Sequence, residues 1–209
     1  MSKPSSPART TMASEPERPV GLVVEGHAIV SADGMIAAAD GSMPKVLMNG
    51  ADWRLFQAAL DRAQLVVLGR LGHDLHPNPG RRRLVLTRSV DGLVADPADS
   101  RAHFWNPADA TFYHVLERLG IAGGTIAVTG GGGVFDHFLG IGYDRFLLSR
   151  VPGAHIPEGR PCFSGGPPQE VLARHGLAPR GVNVIDESAG VTMTVWQRAG
   201  VAPGGRQTP

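Results

Sequence analysis

Four consecutive glycines, Gly130 to Gly133, are the segment of this sequence with the clearest chemical potential. They follow Ile126-Ala127-Val128, an apolar run typical of a buried strand. The apolar residues after the glycines recur at helical spacing: Val134, Phe135, Phe138 and Leu139. Between a strand and a helix, bare backbone can approach a phosphate and helical N–H groups can point at it. The run matches neither G-x-G-x-x-G nor the P-loop, so an ordinary flexible turn is the alternative interpretation.

Two other predicted strands also end in groups suited to phosphate. The strand that begins near Gln64 ends in Gly69-Arg70, and the strand that begins at Arg83 ends in Thr87-Arg88-Ser89. These residues offer backbone N–H groups, guanidinium groups and hydroxyls. The carboxyl ends of parallel strands meet at one edge of a sheet, and ligands of such sheets bind there. The three strand ends together predict a site for a phosphate-bearing cofactor.

The order of elements predicts an α/β fold. Strands alternate with helices up to about residue 150, which indicates a mostly parallel central sheet covered on both faces, in three layers. The runs Val182–Ile185 and Val191–Trp196, separated by five polar or small residues, predict a C-terminal antiparallel hairpin.

A helix with Asn49 as its N-cap is predicted to end near Ala63. Asp52 and Phe56 are one turn apart and therefore share a face of that helix. An acidic residue in a first turn is also favoured by the helix dipole alone, by about 0.3–1 kcal/mol, so a structural role for Asp52 is the alternative. The preceding segment, Gly34–Met48, is predicted to be a long loop, either a flap over a pocket or a surface excursion.

Composition limits the remaining possibilities. The chain has 209 residues, of which 42% are hydrophobic and 19% charged, which suits one folded domain. Residues 1–19 are rich in Ser, Pro and charge and are expected to be a disordered tail; residues 20–198 form the domain, and residues 199–209 form a loose C-terminal tail.

The same composition disfavours several kinds of partner and site. The net charge of +1 gives no basis for a nucleic-acid partner, and no apolar run is long enough to span a membrane. The N-terminus does not resemble a secretory signal, and the single cysteine excludes a disulfide framework, so we expect a cytoplasmic protein. His73, Asp74 and His76 lack a closed ligand set, and no metal is expected.

The order and spacing of short motifs resemble the dihydrofolate reductase superfamily, which includes the folate enzymes and a reductase of the riboflavin pathway. The resemblance covers about residues 26 to 198. Its parts are Ser31-Ala32-Asp33-Gly34-Met35-Ile36, Met43-Pro44, Asp52 with Phe56, Val67-Leu68-Gly69-Arg70, Pro79-Gly80-Arg81, Leu86-Thr87-Arg88-Ser89, Gly130 to Gly133 with the apolar residues after them, and Asp144-Arg145-Phe146-Leu147-Leu148-Ser149.

The resemblance implies an extended NADPH site. The pyrophosphate would face Gly130, Gly131, Gly132, Gly133 and Val134. Gly69 and Arg70 would contact phosphate as well, and Thr87, Arg88 and Ser89 would hold the adenosine 2′-phosphate. Ile29, Ile36 and Ala37 would line the nicotinamide, under a flap formed by Gly34–Met48. Folate enzymes often carry arginine where this chain has Gly133, so recognition of the 2′-phosphate would depend on Arg88, with one of Arg81 to Arg83 as an additional contact.

On the substrate side, the resemblance assigns three residues. Asp52 matches the carboxylate that binds the amino-pyrimidine edge of a pterin, Phe56 the aromatic ring that packs on it, and Ser149 a hydroxyl behind the carboxylate. The expected function is an NADPH-dependent reductase that transfers hydride to a C=N bond of a pterin or amino-pyrimidine.

Two alternatives stay open. One is the riboflavin-type reduction of a ribosylamino-pyrimidine phosphate, although the chain lacks the Asp-Asp-Pro run typical of that enzyme. The other is a nucleotide-binding module without catalysis. The partner expected in either enzyme is a small-molecule substrate, and a homodimer is compatible with the riboflavin-type resemblance.

Overall fold

The computed structural model describes residues 16–76 and 78–199, so most of both expected tails lies outside the described residues. Arg18, which the sequence placed in the N-terminal tail, forms an ion pair with Asp144 and donates a hydrogen bond to the Leu22 carbonyl. Within the described residues, the contacts of the domain therefore begin before Val20.

A nine-stranded sheet forms the centre of the described chain, and a separate two-stranded sheet lies beside it. The strands are β1 (Leu22–Ser31), β2 (Met35–Ala37), β3 (Leu65–Gly69), β4 (Arg83–Leu86), β5 (Leu93–Ala95), β6 (Ala102–Trp105), β7 (Gly124–Val128), β8 (Arg145–Val151), β9 (Arg160–Pro161), β10 (Leu177–Asp186) and β11 (Val191–Arg198). The helices are α1 (Gly50–Arg62), α2 (Arg70–Leu75), α3 (Phe112–Arg118), α4 (Gly132–Ile141) and α5 (Pro168–Arg174).

The order of strands in the large sheet is β10-β11-β8-β1-β7-β3-β4-β6-β5. The six strands from β8 to β6 are parallel to one another, and the outer strands on both sides are antiparallel. The expected α/β class, with a mostly parallel sheet and a C-terminal antiparallel hairpin, is therefore confirmed. The second antiparallel edge, β5, was not predicted, because three residues carry too little periodicity.

Helices cover both faces of the sheet, as the three-layer prediction requires. On one face, α3, α4 and α5 bury a large core that includes Phe112, Phe138 and Val171. On the other face, α1 packs Phe56 and Leu60 against β3 and β7. Alternate residues of β1 point to opposite faces, so Val24 and Val30 join the large core while Glu25 and His27 lie beneath α1.

Several segments predicted to be loops contain short elements. The loop Gly34–Met48 includes β2, which pairs with β9, and a single 3₁₀ turn at Lys45–Leu47. Arg70 begins α2 directly after β3, and α5 follows the segment that carries β9. These elements have two to seven residues, and tertiary contacts rather than local pattern stabilise them. None of the described helices has the length and apolar character needed to cross a membrane.

Candidate functional site

A cleft with about 210 Å³ of interior space opens at the carboxyl edge of the parallel strands. Its walls come from β1, β8, α1, α2, the flap and the start of the glycine turn. The lining includes residues that the sequence assigned to both sides of the site: Ile29, Ile36, Ala37, Asp52, Phe56, Gly131 and Ser149. The fold thus brings residues from position 29 to position 149 into one cavity.

Asp52 lies in the first turn of α1 and faces the cleft. The Asn49 side chain accepts hydrogen bonds from the N–H groups of Ala51 and Asp52, each at 3.0 Å, so the predicted N-cap is confirmed. Burial raises the pKa of the Asp52 carboxyl above its ordinary value, and the nearby Ser149 hydroxyl and His27 offset only part of that rise. A desolvated carboxylate of this kind favours a ligand that presents N–H donors.

Ser149 lies on β8, directly opposite Ile29 of β1. Its side chain is fully buried, and Oγ makes no hydrogen bond of ordinary geometry to any other residue that the structure describes. Its hydroxyl lies near the Asp52 carboxyl and lines the same cleft.

The walls of the cleft around Asp52 are mostly apolar. The Phe56 ring lies 5.9 Å from the Trp53 ring and 5.9 Å from the His27 ring, measured between centroids. Aliphatic and thioether side chains complete the walls: Met43, Leu55, Leu71, Leu75, Leu147 and Met193. Such walls suit a flat heterocycle whose polar edge is bound by Asp52.

His27 is a cleft residue that the sequence analysis did not assign to the site. Its Nε2 lies 3.0 Å from Glu25 Oε1, and Arg145 Nη2 lies 2.6 Å from Glu25 Oε2. The sequence signal was present, because polar residues two apart in a buried strand share one face. It could not be interpreted without knowing that α1 covers this face.

The glycine turn joins β7 to α4. Contrary to the prediction that the helix follows the glycines, α4 begins at Gly132, so its first turn contains the last two glycines. Gly130 is buried at φ +94°, and its carbonyl accepts a hydrogen bond of 2.9 Å from Gly69 N–H. The peptide bond between Gly130 and Gly131 is cis. The hydrogen bond from Gly69 places the end of β3 against the glycine turn.

Two glycines of this turn, Gly131 and Gly133, face open space. A β-carbon on Gly131 would meet nothing closer than Ile36 Cδ1 at 4.0 Å, and one on Gly133 would meet nothing within 4 Å. N–H groups in a first helical turn have no intrahelical acceptor, so this end of α4 can receive an anionic group. Val134 differs, because its side chain is buried and its N–H donates to the Gly131 carbonyl.

Arg70 begins α2 and lies outside the lining of the cleft. Its Nε donates to both carboxylate oxygens of Asp74, at 2.9 and 3.0 Å, and its guanidinium lies 4.9 Å above the Phe104 ring. The side chain is half exposed. A phosphate would therefore have to be bound by the Nη groups of Arg70.

The segment after β4 also lies outside the cleft. Thr87 Oγ1 lies 2.8 Å from Ser89 Oγ and accepts a hydrogen bond from Ser89 N–H at 3.2 Å. Arg88 is exposed between them. This compact turn presents two hydroxyls and a guanidinium at the carboxyl edge of the sheet, next to Gly69 of β3.

Arg81, Arg82 and Arg83 lie at the amino end of β4, away from the turn Thr87–Ser89. Arg83 begins β4, is almost fully buried and pairs with Asp99, and Arg81 pairs with Asp61. Arg82 donates to the Leu119 carbonyl. They lie at the amino end of β4, so the suggestion that one of them assists Arg88 is wrong.

The flap contacts the opposite wall of the cleft. Arg160 of β9 donates from Nε to the Ala39 carbonyl at 3.0 Å. A β-carbon on Gly41 would lie 2.4 Å from a Leu71 methyl group and 3.0 Å from Arg160 Nη1. The flap is thus seated on α2 at Gly41, whose φ of +90° favours glycine.

His73 faces Asp96, with Nε2 3.2 Å from Oδ2, and stacks edge-on against Phe104. No group of three or more metal-ligating side chains occurs among the described residues.

No protein-family model matches the chain, and no curated protein matches it either. Solved structures do. A protein from Shewanella sp. PV-4 with a provisional assignment to riboflavin biosynthesis aligns with a TM-score of 0.61 and 18% identity, over 85% of this chain and 99% of that one. A diaminohydroxyphosphoribosylaminopyrimidine deaminase/5-amino-6-(5-phosphoribosylamino)uracil reductase from Thermotoga maritima aligns with a TM-score of 0.59 and 18% identity, over 86% of this chain and 57% of that one.

Dihydrofolate reductase from Enterococcus faecalis, solved with NADP(H) and RAB-propyl, also aligns. Its TM-score is 0.59 at 17% identity, over 85% of this chain and 96% of that one. At this level of identity, the shared property is the arrangement of strands and helices. The chain has the dihydrofolate reductase-like fold.

Proposed function

We propose that this chain is an NADPH-dependent reductase that transfers hydride to a C=N bond of a pterin or amino-pyrimidine. One observation carries the proposal: the desolvated carboxyl of Asp52 lies in an apolar cleft that also reaches the glycine turn at Gly131. A polar substrate edge and the reactive end of a cofactor can therefore meet in one cavity. The Enterococcus neighbour, solved with NADP(H), supports the choice of cofactor.

The residues around the cleft fit a dinucleotide. The open space at Gly131 and Gly133 lies at the N-terminus of α4, which suits a pyrophosphate. Arg70 and the turn Thr87–Ser89 lie along the same edge and would hold the other phosphate groups. Ile29, Ile36 and Ala37 would line the nicotinamide. When bound, the cofactor supplies the hydride.

The chain's own residues bind and orient the substrate. Asp52 accepts paired hydrogen bonds from an amidine-like edge, which favours protonation of the ring system beside the reducible bond. Phe56 packs on the heterocycle, and the flap excludes water from the cleft. Ser149 supports the carboxylate from behind.

The riboflavin-type substrate is the second candidate, and Arg160 is the observation that favours it. That substrate carries a phosphate, whereas the residues that line the cleft include no arginine or lysine. Arg160 Nη1 nevertheless reaches the rim beside Gly41. If this candidate is correct, Arg160→Ala should raise KM for a ribosylamino-pyrimidine phosphate at least about tenfold, the value of one charge-assisted hydrogen bond.

The central experiment titrates the purified protein with NADPH and with NADH by fluorescence. Loss of NADPH absorbance is then followed with dihydrofolate and with a ribosylamino-pyrimidine phosphate. We expect NADPH to bind more tightly than NADH, and dihydrofolate to be turned over. Failure to bind either cofactor would refute the reductase, whereas binding without turnover would favour a nucleotide-binding module.

A further inference from the structure

A buried polar cluster of Glu25, His27 and Arg145 lies beneath the cleft. Glu25 and His27 are two residues apart on β1, and Arg145 of β8 is in register with Glu25. One Glu25 oxygen lies 3.0 Å from His27 Nε2 and the other lies 2.6 Å from Arg145 Nη2. Only about 10% of the Glu25 side chain and 5% of the His27 side chain are exposed. Each oxygen of the carboxylate thus lies beside a nitrogen of a basic side chain.

Glu25 is the anionic centre of this cluster. Burial would raise its pKa, but the hydrogen bond and charge of His27 and the charges of Arg145 and Arg62 together lower it below the ordinary value. The carboxylate is therefore ionised and acts only as an acceptor. Its charge, 3.0 Å from Nε2, favours the form of His27 with a hydrogen on that nitrogen and an imidazole orientation that turns Nε2 toward the carboxylate.

The imidazole ring of His27 also forms part of the cleft wall. His27 lines the cavity beside Asp52, and its ring meets Phe56 edge-on. Because Nε2 is buried 3.0 Å from Glu25 Oε1, Nδ1 is the ring nitrogen that a ligand in the cleft would contact. His27 and Asp52 therefore line the same small cavity.

The chain contains a second buried histidine–carboxylate pair that serves as a comparison. His73 and Asp96 are 3.2 Å apart, and His73 also meets an aromatic ring edge-on, that of Phe104. His73 does not line the cleft, although its neighbours Gly72 and Leu75 do. Of the two pairs, the one that contains His27 therefore reaches the cleft, and the one that contains His73 does not.

We infer that His27 is a second polar contact for the substrate, next to Asp52, and that Glu25 is the residue that positions it. This inference rests on the proposed function and extends it to the substrate's shape. The substrate presents a pair of N–H donors to Asp52 and a third polar atom, on the same heterocycle, to His27.

The test measures binding of 2,4-diaminopyrimidine to the full chain by fluorescence, with NADPH binding measured separately. His27→Phe keeps an aromatic ring beside Phe56 but removes the polar atoms, and His27→Leu is a second variant in case the first does not fold. Each should weaken pyrimidine binding about tenfold or more, the effect of one lost hydrogen bond, and leave NADPH affinity unchanged. Glu25→Gln should weaken it by a smaller factor, and His73→Leu, the matched control, should not change it.

A second experiment uses NMR to observe the histidine rings of the wild-type chain directly. On addition of the pyrimidine, the ring resonances of His27 should shift in the NMR spectrum while those of His73 stay in place. Equal pyrimidine affinity in wild type and in a folded His27 variant, or an unshifted His27, would overturn the inference while leaving the proposed function intact. If the wild-type chain binds NADPH but not the pyrimidine, the proposed substrate class fails, and the inference fails with it.

Discussion

Gly132 lies so close to Pro161 that a β-carbon on it would come within 2.8 Å of the Pro161 carbonyl oxygen. Gly131 and Gly133, on either side, have open space at the same position. The glycines of one run therefore do different work. Gly132 allows α4 to pack against the segment that carries β9, whereas Gly131 leaves space beside Ile36 at the edge of the cleft.

Substitutions in this turn should separate folding from binding. Gly131→Val should leave the fold intact and weaken NADPH binding strongly, because its side chain would occupy the space assigned to phosphate. Gly132→Ala should destabilise the protein by about 1–3 kcal/mol, as overpacking does. Thermal melts and NADPH titrations measure the two effects. Gly140→Ala, which also adds a methyl group in open space on α4 but lies outside the proposed phosphate site, is the control. Unchanged affinity in a folded Gly131→Val protein would make the run an ordinary turn.

Asp52→Asn should raise stability and lower activity. Because burial raises the carboxyl's pKa in the folded state, folding is favoured while Asp52 is protonated, and this contribution is lost as pH rises through the folded-state pKa. The melting temperature of Asp52→Asn should thus exceed that of the wild type at neutral pH and converge with it in acid. Loss of charge-assisted hydrogen bonds should reduce kcat/KM about ten- to a hundredfold. A variant that is less stable than wild type at neutral pH would contradict the burial argument.

Asp74→Asn should strengthen NADPH binding. Asp74 occupies the Nε face of Arg70, and its negative charge opposes a phosphate there. The Arg70–Asp74 pair is exposed and contributes only about 0.3–0.5 kcal/mol to stability, so the fold should be unaffected. Arg70→Ala should have the opposite effect on affinity. Titration with NADPH at low and moderate salt measures both, and unchanged affinity in both variants would show that Arg70 does not contact the cofactor.

Arg88→Ala should reduce the preference for NADPH over NADH. Arg88 is the exposed cation between the Thr87 and Ser89 hydroxyls, and the 2′-phosphate is the group that distinguishes the two cofactors. The dissociation constant for NADPH should rise about tenfold while that for NADH stays unchanged, so the ratio of the NADH constant to the NADPH constant should fall about tenfold. Arg82→Ala is the matched control, because Arg82 lies at the other end of β4 and bonds to Leu119. An unchanged ratio in Arg88→Ala would place recognition of the 2′-phosphate elsewhere.

Local sequence pattern was sufficient to predict most of the longer strands and helices. The apolar run after Gln64 and the Asn49 cap before α1 predicted elements that the structure contains, because both signals lie within a few residues. The alternation of strands and helices was sufficient to predict a mostly parallel sheet, and two apolar runs separated by five residues predicted the C-terminal hairpin. Gly69, Thr87 and the glycine run were correctly placed at one edge, since parallel strands end together.

Tertiary structure alone decided which side chains meet. The positions of His27 and Glu25 depend on α1, which covers their face of the sheet, and on Arg145, which lies in register beside Glu25. Arg81 to Arg83 and Arg88 look equivalent along the chain, but β4 separates them by its whole length. The division has a physical reason: periodicity and caps depend on neighbours in sequence, whereas burial, charge pairing and open space depend on residues that only the packed sheet brings together.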